Sequence, residues 1–339
     1  MVTRRLETGV NRFQKIAVAA CVALTVLIFV GAIVRASGAG MGCPDWPTCW
    51  GCLIPPTSAD QIDPAKLDIE KYRLKAVQHG IDPATITKES IIANYNPVHT
   101  WTEYINRLTS MPLSLLTLAV FALSFRKKNR SPSVVVASTT ALILLGVNAW
   151  MGARIVHSGL KPGIITLHMA LAIAMLCVLV FIAWRGCEKP WRLAASSCRG
   201  GLNKLAWLLF VLVVAEGVLG SQIREKTDEL KRTHPHAPRV EWVGELEQST
   251  TYLIHRSASW VILLVALWFF SKALSARTGA PLLEKVILGT VIGQMVLGLV
   301  LSQVGVLPVA QVLHIGLSSI LVGALFLWLL ASSKSPTPA

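Results

Sequence analysis

Eight stretches of this sequence are apolar enough and long enough to cross a lipid bilayer, which rules out any fold built to sit wholly in water. A hydrocarbon core of about 30 Å needs about 20 apolar residues in a helix. The run Ile16 to Val34 carries no charged residue, nor does Pro162 to Trp184, and Val286 to His314 and onward supplies two more spans around a proline-containing turn. Walking the chain places helices at about 16–36, 100–125, 133–153, 162–184, 204–222, 250–270, 286–306 and 309–331. Only 15% of residues are charged and the mean hydropathy is +0.57, against roughly 25% charged in a soluble domain. The expected fold is therefore an all-α integral membrane protein with eight transmembrane helices.

The net charge of +14 raises nucleic acid as a partner, but the placement of the cations argues for lipid instead. They gather between apolar runs: Arg4, Arg5, Arg12 and Lys15; Arg126, Lys127, Lys128 and Arg130; Arg185, Lys189, Arg192, Arg199 and Lys204; Lys272, Arg277 and Lys285; and Lys334. All fall on one side of an eight-span topology, which is the positive-inside pattern of cytoplasmic loops. This predicts a bacterial inner-membrane protein with both termini cytoplasmic and no nucleic-acid partner. The basic N-terminus leads into a long apolar run without a convincing cleavage site, so it reads as a retained first helix. Two outward loops are long, about 37–99 and 223–249. The segment 53–98 is an insertion of undetermined fold, with helix-compatible stretches such as Pro64 to His79.

The two halves of the chain repeat. Pro162 precedes His168 by six residues, as Pro308 precedes His314. Gly146 and Gly152 mirror Gly293 and Gly298, and Tyr104-Ile105-Asn106-Arg107 aligns with Leu253-Ile254-His255-Arg256. Matched polar positions in apolar helices are not expected from chance, so two repeated four-helix bundles are predicted, with halves 1–185 and 186–339.

The repeat also brings histidines to one level. An ionisable side chain inside a span is costly, which makes it a functional candidate. His168, His255 and His314 each lie about six residues into a helix that enters from outside, roughly 9 Å deep at 1.5 Å per residue, with Asn106 at the fourth equivalent position. A lone membrane histidine is more often an interhelical hydrogen-bonding residue. Three at one depth in matched positions point instead to axial ligation of haem iron. Zinc is the rival, but it favours three or four converging ligands with Cys or carboxylate among them.

Arg107 and Arg256 directly follow the ligand positions. Each either snorkels to the interface or pairs with haem propionates, for which a guanidinium is well shaped. Glu103 shares a helix face with Asn106 and is a candidate acid–base group, or a water-contacting residue at the helix mouth. Glu216 is a second carboxylate within a span and takes no role in this reading. Arg35 and Arg154 are less specific. His79, His234 and His236 read as solvated loop residues, and His157 as an interface residue beyond the third helix. Of seven cysteines, Cys21 and Cys177 lie in apolar runs, Cys187 and Cys198 on the cytoplasmic side, and Cys43, Cys49 and Cys52 in the first outward loop.

That loop, with the end of the helix before it, reads Gly31-Ala32-Ile33-Val34-Arg35-Ala36-Ser37-Gly38-Ala39-Gly40-Met41-Gly42-Cys43-Pro44-Asp45-Trp46-Pro47-Thr48-Cys49-Trp50-Gly51. It resembles the signature of the haem A synthase family: an Arg, a Gly-rich turn and a Cys-Pro-Asp-Trp-Pro segment. Glu103-Tyr104-Ile105-Asn106-Arg107 is similar to that family's Glu-x-x-His-Arg motif, while His255-Arg256, His314 and His168 match its remaining histidine positions. The resemblance covers nearly all eight spans. It implies oxidation of a methyl group of haem O to the formyl group of haem A, through hydroxylated intermediates and with oxygen from water, for assembly of haem–copper oxidases. It further implies a haem b cofactor held by His255, His314 and Arg256 in the C-terminal half. In the N-terminal half, substrate haem O would be held by His168, Asn106 and Arg107, with Glu103 as the catalytic group.

The resemblance also pairs Cys43 with Cys49 in a disulfide, with Cys52 left over and its pairing open. As partners it suggests haem O synthase and oxidase assembly factors. It leaves a homo-oligomer open and does not identify the electron acceptor. The departure from the family pattern is Asn106, where the motif has histidine. An amide is a poor iron ligand, so His168 alone would leave five-coordinate iron with Asn106 bonding a water, or else the first pocket has lost catalysis. The competing function is a non-catalytic haem-binding membrane cytochrome for electron transfer or haem delivery.

Overall fold

A computed structural model describes residues 11–78, 82–126, 129, 131–161, 163–186, 190–193, 201–234 and 237–333. Pro162, His79, His236, Cys187, Cys198, Arg4, Arg5, Lys127, Lys128, Arg130, Lys189, Arg199 and Lys334, which figured in the reading above, lie outside the described residues. The described residues are mainly helical, and the only β pairing among them is an isolated bridge between Cys49 and Cys52. The helices are α1 (Arg12–Ala36), α2 (Ile69–Gln78), α3 (Lys88–Ala93), α4 (Pro97–Ser124), α5 (Pro132–His157), α6 (Ile164–Arg185), α7 (Gly201–Thr233), α8 (Arg239–Glu247), α9 (Thr250–Ala276), α10 (Pro281–Gln303) and α11 (Pro308–Ser332). Eight of them (α1, α4 to α7 and α9 to α11) are long and apolar enough to cross a membrane. The protein is a multi-pass, all-α membrane protein.

Local chemistry sets the helix starts. Asn11, Asn96 and Ser249 accept from the backbone N–H of Gln14, His99 and Tyr252, capping α1, α4 and α9. Pro97, Pro132, Pro281 and Pro308 open their helices, where the missing N–H would have had no partner. The second long connection differs from expectation. Helix α7 continues to Thr233 and α8 follows, so most of 223–249 is helix. Leu230, Trp242 and Leu246 bury together there, and that apolar packing stabilises helix beyond the apolar span. His157 is the last residue of α5 rather than a residue beyond it. The 53–98 segment folds as 3₁₀ turns with α2 and α3. Its apolar side chains (Ile62, Leu67 and Ile91) pack on Cys43, Cys49 and Trp50, forming a lid over one end of the bundle.

Two apolar cores lie within the helices. One is built from Phe13, Leu24, Leu113, Val120, Val134, Met175 and Leu179 of α1 and α4 to α6. The other is built from Leu209, Ile262, Phe269, Ile287, Leu325 and Trp328 of α7 and α9 to α11. This fits the expected pair of four-helix bundles. The two groups join where α1 and α6 pack on α11. Gly316 of α11 is required at that join, because a Cβ there would lie 2.1 Å from Cε1 of Phe29 on α1. Gly316→Val should therefore overpack the join and cost about 1–3 kcal/mol, read as a lowered thermal unfolding midpoint of the detergent-solubilised protein. A midpoint equal to wild type would contradict this packing.

Candidate functional site

Three imidazoles lie near the lid end of the spans: His168 four residues after the start of α6, His255 five after the start of α9, and His314 six after the start of α11. Asn106 is deeper in sequence terms, nine residues after Pro97, because α4 begins before the apolar span with a turn that belongs to the lid. Small residues face these side chains. A Cβ at Gly220 of α7 would stand 3.3 Å from Cε1 of His255, one at Gly298 of α10 would stand 3.7 Å from Cε1 of His314, and one at Gly31 of α1 would stand 3.9 Å from Oδ1 of Asn106.

The Nδ1 atoms of His168, His255 and His314, and Oδ1 of Asn106, are buried without an aligned hydrogen-bond partner in the protein. Buried polar atoms are normally paired. Imidazoles with orphaned Nδ1 atoms, two of them (His255 and His314) facing glycines, are a donor set that fits a flat iron-bearing ring. Among the described residues no three His, Cys, Asp or Glu side chains gather as a metal cage. That donor set suits axial ligation of a porphyrin better than a zinc centre. Arg256, the repeat partner of Arg107, is exposed beside His255.

Glu103 is enclosed by the lid and 4% exposed. Its Oε2 accepts the Cys43 N–H at 2.7 Å and its Oε1 accepts from Nη2 of Arg107 at 2.7 Å. Arg107 also donates to the carbonyls of Asp45, Thr48 and Cys43 at 2.8–3.0 Å. One guanidinium thus staples three lid carbonyls to the carboxylate one turn before it. Cys43 and Cys49 form a buried disulfide within this loop, as the resemblance implied, and Cys52 is a free thiol. Asp45 folds the loop further by accepting from the Trp50 and Gly51 N–H groups. Gly42 is obligatory, since a Cβ there would lie 2.3 Å from the His99 carbonyl oxygen. From the insertion, Lys75 of α2 reaches in and donates to the Pro44 carbonyl at 2.7 Å. Burial holds its ammonium down to about 8, against the pull of Glu103 and Asp45.

Polar contacts also tie the two halves together at the lid end. Asp228 of α7 binds both Arg35 (3.3 Å) and Arg224 (3.0 Å), and Arg224 donates to the Arg35 carbonyl. Glu225 of α7 accepts from the Gly163 N–H at 3.0 Å and from Thr166 Oγ1 at 2.9 Å. A carboxylate from one half therefore caps the positive N-terminus of the helix that carries His168.

A family model described as COX15-CtaA, cytochrome oxidase assembly protein, matches residues 14–326. The chain belongs to the COX15-CtaA family. It is 24% identical over 196 residues to a heme A synthase of Shewanella oneidensis, a match covering 58% of this chain and 52% of that protein, or about half its length. A heme A synthase of Wolbachia pipientis subsp. Culex pipiens is 23% identical over 317 residues, 88% of this chain and 91% of that protein. Another, from Wolbachia sp. subsp. Brugia malayi, is 22% identical over 295 residues, 81% and 84% respectively.

Within this COX15-CtaA chain, sequence reasoning left Arg35 unassigned and did not single out Arg224, although the signal was present. The same spacing of 189 residues separates Gly31 from Gly220 and Arg35 from Arg224. Lys75 carried no signal, because nothing in the insertion's composition says which lysine folds inward.

Two outcomes test the lid. Arg107→Ala strands the buried Glu103 carboxylate and should cost about 3–5 kcal/mol, seen as lost thermal stability and new protease cleavage in 42–52; an uncleaved lid would contradict the staple. For Lys75 the folded-state value lies below the unfolded one, so the unfolded chain binds more protons between about pH 8 and 10.5. Stability should therefore rise with pH across that window. The unfolding midpoint of the wild type should gain on that of Lys75→Met between pH 7.5 and 9.5, whereas parallel profiles would show that the amine is not buried.

Proposed function

We propose that this protein is a haem A synthase of the bacterial inner membrane, with both termini cytoplasmic. It oxidises the methyl group of haem O to the formyl group of haem A through hydroxylated intermediates. The observation that carries the reading is the set of imidazoles on α6, α9 and α11 whose Nδ1 atoms are buried without an aligned protein partner, two of them, His255 and His314, facing glycines of α7 and α10. The names of the three relatives, each a heme A synthase, support the product.

The C-terminal half, 186–339, holds a resident haem b between His255 and His314, with Arg256 as its propionate partner. The N-terminal half, 1–185, receives haem O as substrate on His168, with Asn106 on the opposite face and Arg107 as a propionate partner that also anchors the lid. When bound, haem b supplies a one-electron redox centre beside the substrate pocket. The protein's own part is to exclude bulk water with the lid, orient the substrate methyl, and hold or move protons at Glu103. Each oxidation takes two electrons and one proton from the reacting carbon and one proton from the water that supplies the oxygen, the electrons leaving to an external acceptor. Glu103, gripped by Arg107 and the Cys43 N–H, is the carboxylate positioned to orient that water and take its proton. Asn106 leaves one face of the substrate iron without an imidazole, which suits a substrate that must enter and leave. Oxidase assembly factors and haem O synthase are the partners such a product and substrate require.

The test is haem extraction from cells that make haem O and express this chain. Haem A or its hydroxylated precursor is expected with the wild type. Glu103→Gln should lose at least a hundredfold in conversion while keeping bound haem b. His255→Ala and His314→Ala should each abolish the low-spin haem b spectrum. Unchanged haem O alongside normal haem b would favour the electron-transfer or haem-delivery reading, and a spectrum that survives both histidine changes would overturn the ligand assignment.

A further inference from the structure

Glu216 is a carboxylate inside the span of α7 that the reaction above does not use. Burying an unneeded carboxylate among apolar helices is unfavourable, and here it stands against a proposed iron ligand. Its Oε1 lies 3.1 Å from Nδ1 of His255, with the two side chains 14% and 20% exposed. Ser259, one turn beyond His255 on α9, donates to the same oxygen, while Oε2 is buried without a partner. Gly220, one turn from Glu216 on α7, leaves the gap against the edge of the His255 ring. Helix α7 thus offers that imidazole one residue of space and one acceptor. The 3.1 Å approach is not aligned as a hydrogen bond, and the missing Cβ at Gly220 leaves the ring edge room to turn.

The arrangement is specific to one half. The spacing that relates Gly31 to Gly220 and Arg35 to Arg224 puts Leu27, an apolar residue packed in the other core, opposite Glu216. Neither His168 nor His314 has a carboxylate partner among the described residues. Gln294 of α10 donates to the His314 backbone carbonyl at 2.8 Å rather than to its ring.

We propose that Glu216 is a positioning residue for the C-terminal haem, accepting the Nδ1–H of His255 so that Nε2 faces the iron as a fixed, electron-rich ligand. This rests on the haem reading given above. A metal-bound histidine that donates its second N–H to a carboxylate becomes a stronger donor and is held in one orientation. A stronger anionic donor stabilises ferric over ferrous iron. The consequence is a division of labour: the resident haem is tuned to the lower potential and held permanently, and the substrate pocket, with leucine at the matching place, keeps a neutral, exchangeable ligand.

The experiment is a redox titration of the purified full-length protein with its bound haem, together with low-temperature EPR. Glu216→Gln keeps the shape and an acceptor for Ser259 but removes the charge. It should shift the reduction equilibrium at least tenfold toward ferrous haem, about 59 mV for a one-electron couple, and change the low-spin g values. Glu216→Leu, which copies the first half, should do the same and also lower haem occupancy. Ser259→Ala, which releases Oε1 to His255 alone, should shift the equilibrium the other way. A Glu216→Gln protein with wild-type potential and g values would overturn the proposal. Should that variant fail to accumulate, a Ser259→Ala protein whose potential does not fall would do so. A wild-type protein that holds no low-spin haem would instead overturn the haem reading on which it rests.

Discussion

The constraint on which the structure depends is the cost of placing polar, ionisable groups among apolar helices. In lipid an imidazole or carboxylate cannot borrow water, so each must find a partner inside the bundle. This chain pairs Glu103 with Arg107 and the Cys43 N–H, Glu216 with Ser259 and His255, and Glu284 with the Trp328 indole at 3.1 Å. The Nδ1 atoms of His168 and His314 and the Asn106 carbonyl oxygen are among the departures, and they belong to residues proposed above to hold haem. Strain of this kind is expected where a protein is shaped for something it binds.

The second organising feature is the lid. Arg107 lies on a membrane helix yet spends its donors on loop carbonyls, so the lid's conformation and the position of Glu103 are one structure. The disulfide, the Asp45 turn and the inward-facing Lys75 act on the same few residues. Beside the lid, Asp228 and Glu225 of α7 link the end of α1 and the start of α6 to the opposite half. Neither half presents its lid end independently of the other.

Much of this was legible in the sequence because lipid enforces simple rules. Long apolar runs located all eight spans, and the repeat singled out His168, His255 and His314. The Cys-Pro-Asp-Trp-Pro resemblance located the disulfide. The remainder was hidden for identifiable reasons. Residues 223–249 are polar, so hydropathy treated them as loop, but Leu230, Trp242 and Leu246 supply enough apolar packing to extend α7 and form α8. Helix α4 starts at Pro97, before the apolar span expected from 100, because the Asn96 side chain caps it there, a local signal that hydropathy does not report. The lid-anchoring role of Arg107 was not legible, because its lid partners are backbone carbonyls, which leave no trace in residue identity. Glu216 had no reading until its distance to His255 gave it one.

The central claim, that these helices grip iron porphyrin, is tested most directly by purifying the protein from haem-replete cells lacking haem O synthase and measuring its haem content and spin state. The account predicts one low-spin haem b per chain, since the substrate pocket would have no haem O to retain. A colourless protein, or one whose only haem is high-spin, would contradict it.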